Sequence, residues 1–567
     1  MAVNEDCQDV TTWGKYQLRL SSMLILSSLF CGVLVFHIVF TSYEPKHRCY
    51  IPELDEENSL SYTKSNTTVK NESAEELNTI PPEYSSDQYE MYIPREDNET
   101  SSEFSSCEMY NQSTNFDSGK LIQTTNCKYG YFYEEGKGST VTEWDLVCDR
   151  AWIKPLTASI MLCGSALSSL TVGWIADRYG RQKIFLMTIL GRFIWLFICA
   201  FSTNPWMFAA TIFFVSYCNM GSFVVKVVLV SEMLSARNRT IVVNLLYVAF
   251  ALGYMILPVM AYITPSWRWL LGSISVLGVI QIPCIWWVPE SYRWLIQRGQ
   301  RDRANKLRRE IELYNGYTRH AADLGNLTDS KLNDSKFEGE LYSDDINKTN
   351  EERFVSNVNC LDLFRASIMR NRLFINFFTW LVLNITYYFF SLNTSNLGGS
   401  AYINCFLAGA VEIPAAIVSF VFMRLIGRKY AYVTLGMTSA LAIILTPFAI
   451  SWNTASGVTI AMIGKFAITS AYDVMYLYTP EMFPTLLRSV ALGTCTFSGN
   501  VGAIISPYIV YASEKSSKSL PYLVMAGLTF ITVCLVLLLP ETKNVKVPDT
   551  IEEAKQMKID KLFCINK

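Results

Sequence analysis

Long apolar blocks separated by short polar connections run along most of the chain. A helix needs about 20 apolar residues to cross a bilayer, and twelve blocks approach that length. The first block lacks a small-residue cleavage site, so we interpret it as a span rather than as a signal peptide. The pattern predicts an all-α membrane protein with twelve transmembrane helices. We number them spans 1 to 12, near residues 21–40, 155–175, 184–202, 206–230, 240–263, 269–288, 372–391, 400–421, 430–450, 455–478, 489–512 and 520–540.

The composition supports a membrane protein and excludes several other classes. Of the 567 residues, 50% are hydrophobic and 17% are charged, which fits burial in lipid. The formal net charge is -2, and the basic residues form short clusters between the apolar blocks. We therefore expect the lipid bilayer as a partner and no nucleic acid. The three His residues and the scattered Ser and Cys show no catalytic triad, metal-ligand spacing or phosphate loop, so neither an enzyme nor a metal site is expected.

The basic clusters predict the orientation in the membrane. Lys and Arg follow spans 2, 4 and 8, whereas the connections after spans 3, 7 and 9 contain neither. By the positive-inside rule, both termini and a linker at 289–371 should be cytoplasmic, and the loop at 42–152 should lie outside. The protein is predicted to be a multi-pass protein of the plasma membrane.

The predicted outer loop contains features of an oxidising compartment. An even number of cysteines makes two disulfides plausible, with three pairings open and free thiols as the alternative. These are Cys49, Cys107, Cys127 and Cys148. The loop also contains four Asn-x-Ser/Thr sequons, which we expect to be glycosylated. They are at Asn66, Asn71, Asn98 and Asn111.

Three landmarks of the first half recur in the second half at nearly one offset. Gly180-Arg181 recurs 247 residues later, Glu232 with Arg239 recurs after 249 residues, and Pro289-Glu290 recurs after 251 residues. The chain is therefore predicted to hold two duplicated six-helix bundles that rock about a central site. The predicted domains are 1–20, 21–288 with its outer loop, the linker 289–371, 372–540 and a tail at 541–567.

The segment Gly173–Lys183 matches the loop motif that marks the major facilitator superfamily. Gly173 permits close helix approach, and the charged residues can make charge-assisted bonds that latch one conformation. Because Arg424 occupies the acidic position in the second copy, a latch in that half is in doubt. The candidate latch residues are Gly173, Asp177, Arg178, Gly180, Arg181, Glu232, Arg239, Glu481 and Arg488.

Narrower motifs resemble the organic ion branch of that superfamily. These are Thr142–Cys148, Trp267–Leu270 and Pro289–Leu295. Within the branch, Phe250–Pro258 and Ser391–Leu397 are similar to segments of carnitine and insect-type cation transporters. The resemblance implies the major facilitator fold, with spans 1, 4, 7 and 10 lining a cavity and spans 2, 5, 8 and 11 closing its sides.

Intramembrane charges on these spans are the candidate substrate site, because each is costly in hydrocarbon. Glu412 matches the acid typical of cation and carnitine transporters, with an ion pair to a neighbouring span as the structural alternative. For Asp473 and Lys226 we hypothesise that they pair across the empty cavity, bind opposite ends of a zwitterion, or only fix packing. Lys465 resembles a basic position of relatives that could act in gating or carry a proton-linked charge.

Neutral and aromatic residues complete the candidate site. Asn500 stands where similar cation transporters often have Asp and where anion and carnitine transporters often have Arg, so it favours neither charge. Tyr217 and Tyr387 are the first candidates for cation–π contacts, although most aromatic residues in membranes serve packing.

These features favour a polyspecific transporter of small organic cations that works by alternating access and has no cofactor. The alternatives are a transporter of carnitine-like or other zwitterions, sodium-coupled or not, and a receptor of the same fold that does not transport. Na⁺ or H⁺ coupling, the oligomeric state and the substrate itself stay open at this stage. Saturable accumulation in sealed vesicles separates a transporter from a receptor.

Overall fold

The computed structural model describes residues 13–52, 55, 92–94, 105–110, 124–134, 138–316, 365, 367–484, 487–515, 519–543, 545, 548 and 551–556. The chain divides into two compact units. The membrane unit comprises Met1–Val39, Pro155–Thr264 and Arg268–Lys567. The loop unit comprises Phe40–Lys154 and Pro265–Trp267.

Helices make up most of the membrane unit. In chain order the helices of the first half are α1 (Lys15–Val35), the short α2 (Ile38–Thr41), α4 (Ile153–Tyr179), α5 (Arg181–Ala200), α6 (Pro205–Met233), α7 (Ala236–Ile263), α8 (Trp267–Leu277) and α9 (Cys284–Trp287). Helix α3 (Thr140–Trp144) belongs to the loop unit. Two linker helices follow, α10 (Tyr292–Gln297) and α11 (Arg301–Asn315).

The second half repeats this arrangement. Its helices are α12 (Ser367–Leu392), α13 (Ala401–Ala410), α14 (Glu412–Leu425), α15 (Arg428–Trp452), α16 (Thr454–Glu481), α17 (Arg488–Lys515) and α18 (Leu520–Leu537), followed by a short terminal helix α19 (Ile551–Gln556). Within the described residues, ten helical segments are long and apolar enough to cross a membrane.

The two other predicted spans differ from this set for visible reasons. Span 6 is broken into α8, a 3₁₀ turn at Gly278–Gln281 and α9, and Pro283 beside the break has no N–H to continue a helical ladder. Span 11 is one continuous helix, α17, but it contains several Gly, Ser, Thr and Asn residues that lower its apolar character.

A second helix break positions one of the candidate acids. Span 8 consists of α13 and α14 with Val411 between them, and Glu412 opens α14. Pro414 cannot donate to the carbonyl oxygen of Ala410, because its ring nitrogen carries no hydrogen. The break in span 8 therefore lies directly beside Glu412.

Helices α1 and α7 pack at glycine. A Cβ added to Gly32 would collide with the carbonyl oxygen of Phe250, and one added to Gly253 would collide with the carbonyl oxygen of Leu29. Only glycine allows two helix backbones to approach this closely.

The two ends of the membrane unit are named by their connections. At the loop end, successive helices are connected by residues 42–152, 201–204, 264–266, 393–400 and 516–519. At the opposite end, which we call the linker end, they are connected by residues 180, 234–235, 289–366, 426–427 and 482–487. At the linker end α11 packs against the start of α1, where the Tyr16 backbone N–H donates to Asn315 Oδ1 at 2.9 Å.

The loop unit contains two small antiparallel sheets. His47–Cys49 pairs with Tyr131–Tyr133, and Glu108–Tyr110 pairs with Thr124–Asn126. Two disulfides join Cys49 to Cys127 and Cys107 to Cys148. A capping box between Ser139 and Thr142 begins α3. The sequons at Asn66, Asn71, Asn98 and Asn111 lie outside the described residues.

Candidate substrate site

Glu412 lies in a buried ion pair. Its Oε1 is 3.2 Å from Lys465 Nζ, and the Tyr387 hydroxyl donates to the same oxygen at 2.7 Å. Lys465 also donates to the Ser391 hydroxyl. The Lys465 side chain is 1% exposed and that of Glu412 is 9% exposed. The geometry corresponds to the structural alternative for Glu412, a pair that holds span 8 to a neighbouring span.

Aromatic rings from both halves surround the Lys465 ammonium group. Its Nζ is 3.4 Å from the ring centroid of Tyr387, 5.7 Å from that of Phe36 and 5.9 Å from that of Tyr254. Rings at these distances present their negative faces to the cation. The pair therefore lies at the junction of α1 and α7 from the first half with α12, α14 and α16 from the second.

Asp473 also lies at the contact between α14 and α16. Its Oδ2 accepts a hydrogen bond from the Ser419 hydroxyl at 3.3 Å, and among the described residues no Lys or Arg is paired with it. Glu412 and Ser419 are seven residues apart on α14, which at 1.5 Å per residue is about 11 Å along the helix. Asp473 is thus about two turns closer to the linker end than the Glu412–Lys465 pair.

An aromatic cluster forms around Tyr472 and Tyr476, which are close neighbours of Asp473 along α16. Tyr472 and Tyr476 have ring centroids 5.1 Å apart, and Trp380 from α12 lies 5.5 Å from the first ring and 4.7 Å from the second. The ring of Tyr387 stacks on Tyr472 at 5.8 Å. Lys465, Tyr472 and Tyr476 are spaced by seven and four residues, so they share one face of α16. Asp473 lies about 100° around the helix from Tyr472.

The hypothesised contact between Lys226 and Asp473 does not appear. Lys226 is fully buried, and its Nζ donates to the Cys31 sulfur at 3.2 Å. Asp473 instead meets Ser419. Lys226 points among helices of its own half because α1 and α6 pack there, so it does not reach across the two halves.

The remaining predicted substrate residues have partners elsewhere. The Tyr217 hydroxyl is 2.9 Å from Thr171 Oγ1 on α4, within the first half. Asn500 joins the two halves, because its Nδ2 donates to Ser169 Oγ at 2.9 Å. In this conformation Asn500 forms part of the contact between α4 and α17.

The first-half latch residues form a charge cluster at the linker end. Arg181 binds Glu232 through two nitrogens, at 3.1 Å and 3.0 Å, and its Nη2 is 2.8 Å from Asp177 Oδ1. The backbone N–H of Arg181 donates to Glu290 Oε1 at 2.7 Å. Gly180 adopts a φ of +107°, and a Cβ there would collide with Glu290.

The second half forms a similar cluster, but it has no counterpart of the Asp177 contact, because Arg424 occupies that position. Arg428 Nε is 3.2 Å from Glu481 Oε2, and the backbone N–H of Arg428 donates to Glu541 Oε1 at 3.0 Å. Arg424 instead places its guanidinium 4.3 Å from the ring centroid of Phe420. One residue from each of the three repeat landmarks therefore meets the others in each half: Arg181, Glu232 and Glu290 in the first, and Arg428, Glu481 and Glu541 in the second.

Within the described ranges, four of the predicted latch residues take no part in these clusters. A Cβ at Gly173 would meet nothing within 4 Å, so the expected close helix approach is not present in this conformation. Arg178 lies 5.8 Å and 5.7 Å from the ring centroids of Trp174 and Tyr179. Within the part of the chain that the structure describes, Arg239 and Arg488 have no ion pair.

Sequence reasoning gave too little weight to Lys465, and it missed Phe36, Tyr254 and Arg192. A signal for Lys465 was available, since it lies eight residues before Asp473 on one helical face. Phe36 and Tyr254 carry no such signal, because they come from helices of the other half. Arg192 could have been noticed as an intramembrane charge in span 3.

Two similar halves of membrane-spanning helices, with paired charge clusters at one end and polar groups where the halves meet, define a membrane transporter of the major facilitator fold. Solved structures share this fold. The xylose transporter XylE from E. coli in an inward open conformation gives a TM-score of 0.54 at 14% identity, covering 73% of this chain and 93% of that chain. Its partially occluded inward open form gives 0.55 at 13% identity, covering 93% and 99%.

The chain belongs to the sugar (and other) transporter family, whose model matches residues 104–554. It is 32% identical to mouse solute carrier family 22 member 21 and to rat organic cation/carnitine transporter 2, covering 96% of this chain and 92% of each relative. Human organic cation/carnitine transporter 2 is 30% identical, with the same coverage. The resemblance predicted from the motifs is confirmed, and so is the assignment as a transporter rather than an enzyme.

Proposed function

We propose that this protein transports small organic cations across the plasma membrane by alternating access. The observation that carries the proposal is Asp473, a carboxylate with no cationic partner among the described residues. It lies on the same helix as Tyr472 and Tyr476, whose rings pack against Trp380. A carboxylate attracts an ammonium group, and aromatic faces add cation–π attraction. Two relatives are named organic cation/carnitine transporters, which supports this substrate class.

Polyspecificity follows from the same chemistry. A ring face attracts a cation without demanding a particular hydrogen-bond geometry, so cations of different shapes can use one cluster. The Tyr387 hydroxyl is already bonded to Glu412, and the hydroxyls of Tyr472 and Tyr476 lie 3.4 Å from each other.

The topology belongs to the same proposal. Twelve membrane crossings, with α8 and α9 together forming the sixth and α17 the eleventh, would return both termini to one side. The positive-inside rule makes that side, the linker end, cytoplasmic and the loop unit extracellular. In this orientation the disulfides and the sequons of the loop unit lie in an oxidising compartment, as their chemistry requires.

The contacts between the halves support alternating access. Ser159 Oγ donates to the Ile504 carbonyl at 2.7 Å, the rings of Tyr262 and Tyr402 lie 5.6 Å apart, and a Cβ at Gly409 would lie 3.1 Å from the Met255 backbone nitrogen. These contacts lie toward the loop end. With the proposed orientation, they close the extracellular side of the site.

The second candidate is a zwitterion transporter for carnitine-like compounds, with or without coupled Na⁺ or H⁺. Lys465 favours it, because a substrate carboxylate could replace Glu412 as the partner of its ammonium group while Asp473 binds the cationic end. The two sites are about two helical turns apart along the helix axis, so a change of conformation would have to bring them closer for a carnitine-sized zwitterion to bridge them.

The deciding experiment is uptake of labelled tetraethylammonium and of labelled carnitine in expressing cells, each with and without sodium. Wild type is compared with Asp473→Asn, which keeps the size of the side chain and removes its charge. Ser419→Ala is the matched control, since it removes the one hydrogen bond that a described residue makes to Asp473 but leaves the charge. Surface protein is quantified for every variant.

For the cation transporter, tetraethylammonium uptake without sodium should fall at least about tenfold in Asp473→Asn, as loss of a charged contact predicts, and much less in Ser419→Ala. Carnitine uptake alone would establish the zwitterion transporter. Equal uptake by Asp473→Asn and wild type at equal surface level would show that Asp473 does not bind substrate. Binding without osmotically sensitive accumulation in sealed vesicles would indicate the receptor.

A further inference from the structure

A second group of buried charges lies within the first half, away from Asp473. Arg192 on α5 donates through Nη1 to Asn219 Oδ1 at 3.0 Å and to the Cys31 sulfur at 3.1 Å, and through Nη2 to Gln281 Oε1 at 2.9 Å. Lys226 donates to the same sulfur at 3.2 Å. Both basic side chains are fully buried.

This group carries two basic side chains and, among the described residues, no carboxylate; the Cys31 thiol is its one weak acid. The partners of Arg192 and Lys226 are amide, hydroxyl and thiol groups, and no Asp or Glu among the described residues pairs with either. Because both are bonded to one sulfur, their nitrogens lie within about 6 Å of each other, a distance at which like charges in a low dielectric repel strongly. Buried charges in membrane helices normally have a compensating partner.

The group also has more hydrogen-bond donors than acceptors. Arg192 Nε and Gln281 Nε2 are buried and have no hydrogen-bond partner. A buried donor without a partner costs free energy. A single negatively charged hydrogen-bond acceptor would satisfy both unpaired donors and compensate both positive charges.

We propose that Arg192, Lys226 and Gln281 form a binding site for a small monovalent anionic group, which is either a chloride ion or the carboxylate of an organic solute. The anion accepts hydrogen bonds from Arg192 Nε and Gln281 Nε2 and compensates the two cations. The Cys31 thiol contributes its sulfur as a neutral neighbour. The site lies among α1, α5, α6 and the 3₁₀ turn at Gly278–Gln281, and the cation site at Asp473 is not required for it.

The test uses the purified full-length protein in detergent, with sodium methanesulfonate replaced stepwise by sodium chloride at constant ionic strength. A ligand that binds only the folded state raises the Tm in a saturable way, so the Tm of wild type should rise and level off with chloride. Lys226→Met should raise the half-saturating chloride concentration at least about tenfold, as loss of one charged hydrogen bond predicts.

Two further variants keep the test decisive. Gln281→Leu retains both cations and should weaken the chloride response by a few fold, even if Lys226→Met does not fold. Asp473→Asn should leave the chloride response unchanged, which separates this proposal from the cation site. Cys31→Ser should also keep the response, because a serine hydroxyl can accept from both cations.

The source of the anion is decided in methanesulfonate without chloride. Carnitine that raises the Tm of wild type but not of Lys226→Met identifies an organic carboxylate as the ligand, and a response to chloride alone identifies the halide. A wild-type Tm that responds to neither overturns the proposal. A chloride response that appears only in Cys31→Ser also overturns it, since Cys31 would then be a thiolate that compensates the cations.

Discussion

Glu412 and Asp473 are two carboxylates on one seam between α14 and α16, but they have different surroundings. Glu412 is paired with Lys465 at 3.2 Å, whereas the one partner of Asp473 among the described residues is the Ser419 hydroxyl at 3.3 Å. A paired carboxylate has its charge compensated before any substrate arrives. The unpaired one is therefore better suited to attract a cation, and the paired one to fix the bundle.

Removal of one partner of the buried pair should be more harmful than removal of both. Lys465→Met leaves Glu412 buried and unpaired, which we expect to cost about 3–5 kcal/mol of stability. The double variant Lys465→Met with Glu412→Gln should recover most of that loss, because the amide oxygen can still accept from Tyr387. Thermal unfolding of the purified variants measures both effects. A double variant no more stable than Lys465→Met would mean that the pair does not act as a unit.

At the scale of elements, helix packing depends on where backbone meets backbone. Gly32 and Gly253 allow α1 and α7 to touch through their main chains, while Gly272 on α8 has open space where a Cβ would stand. Glycine is therefore required for close helix packing at some positions but not at others. The sequence shows only that each is present.

Gly253→Ala should force α1 and α7 apart, since its Cβ would overlap the Leu29 carbonyl oxygen. Overpacking commonly costs about 1–3 kcal/mol, and more where backbone is the obstacle. Gly272→Ala is the matched control and should stay within about 0.5 kcal/mol of wild type, as a surface change does. The Tm and the monodisperse fraction in size-exclusion chromatography compare the two. Equal stability of both variants would contradict the close packing.

The charge clusters at the linker end are the second element-scale feature. In each half an Arg at the start of a helix binds a Glu from the end of another, and a second Glu accepts from the backbone of that Arg. Both clusters stay within their own half, so they fix the ends of helices here rather than joining the halves.

At the scale of the whole membrane unit, a transporter must separate contacts at one end and form others at the opposite end. The contacts at Tyr262–Tyr402 and Ser159–Ile504 lie toward the loop end. Alternating access requires that these contacts open during each cycle.

Cysteines placed at Tyr262 and Tyr402 should therefore lock the cycle when joined. A bifunctional thiol reagent that spans the two positions should abolish uptake, and a reducible reagent should allow recovery after reduction. Each single cysteine variant treated in the same way is the control. Unchanged uptake in the fully cross-linked double variant would show that this contact does not open.

Gly173 provides a complementary test at the linker end. A Cβ at this position meets nothing within 4 Å in the present conformation, so Gly173→Leu should fold with a Tm close to wild type. If α4 approaches another helix in the opposite conformation, the added side chain should block that approach and reduce uptake at least about tenfold. Normal uptake by a normally expressed Gly173→Leu would show that no such approach occurs.

The sequence by itself determined the membrane class, the positions of most spans, the duplication and the transporter family. These are local properties, since hydropathy over 20 residues and a motif such as Gly173–Lys183 need no knowledge of distant partners. It also marked Glu412, Asp473 and Lys226 as costly charges. Each was identified correctly as a buried or partly buried group of a membrane helix.

Only the tertiary structure decided which charge meets which partner. Lys465 comes from α16 and Glu412 from α14, Lys226 meets Cys31 from α1, and the cysteines of the loop pair as Cys49–Cys127 and Cys107–Cys148. Hydrogen bonds and ion pairs act over about 3 Å, and such distances between separate helices are set by packing. The break of span 6 and the open space at Gly173 belong to the same class, because neither follows from the pattern of apolar residues along the chain.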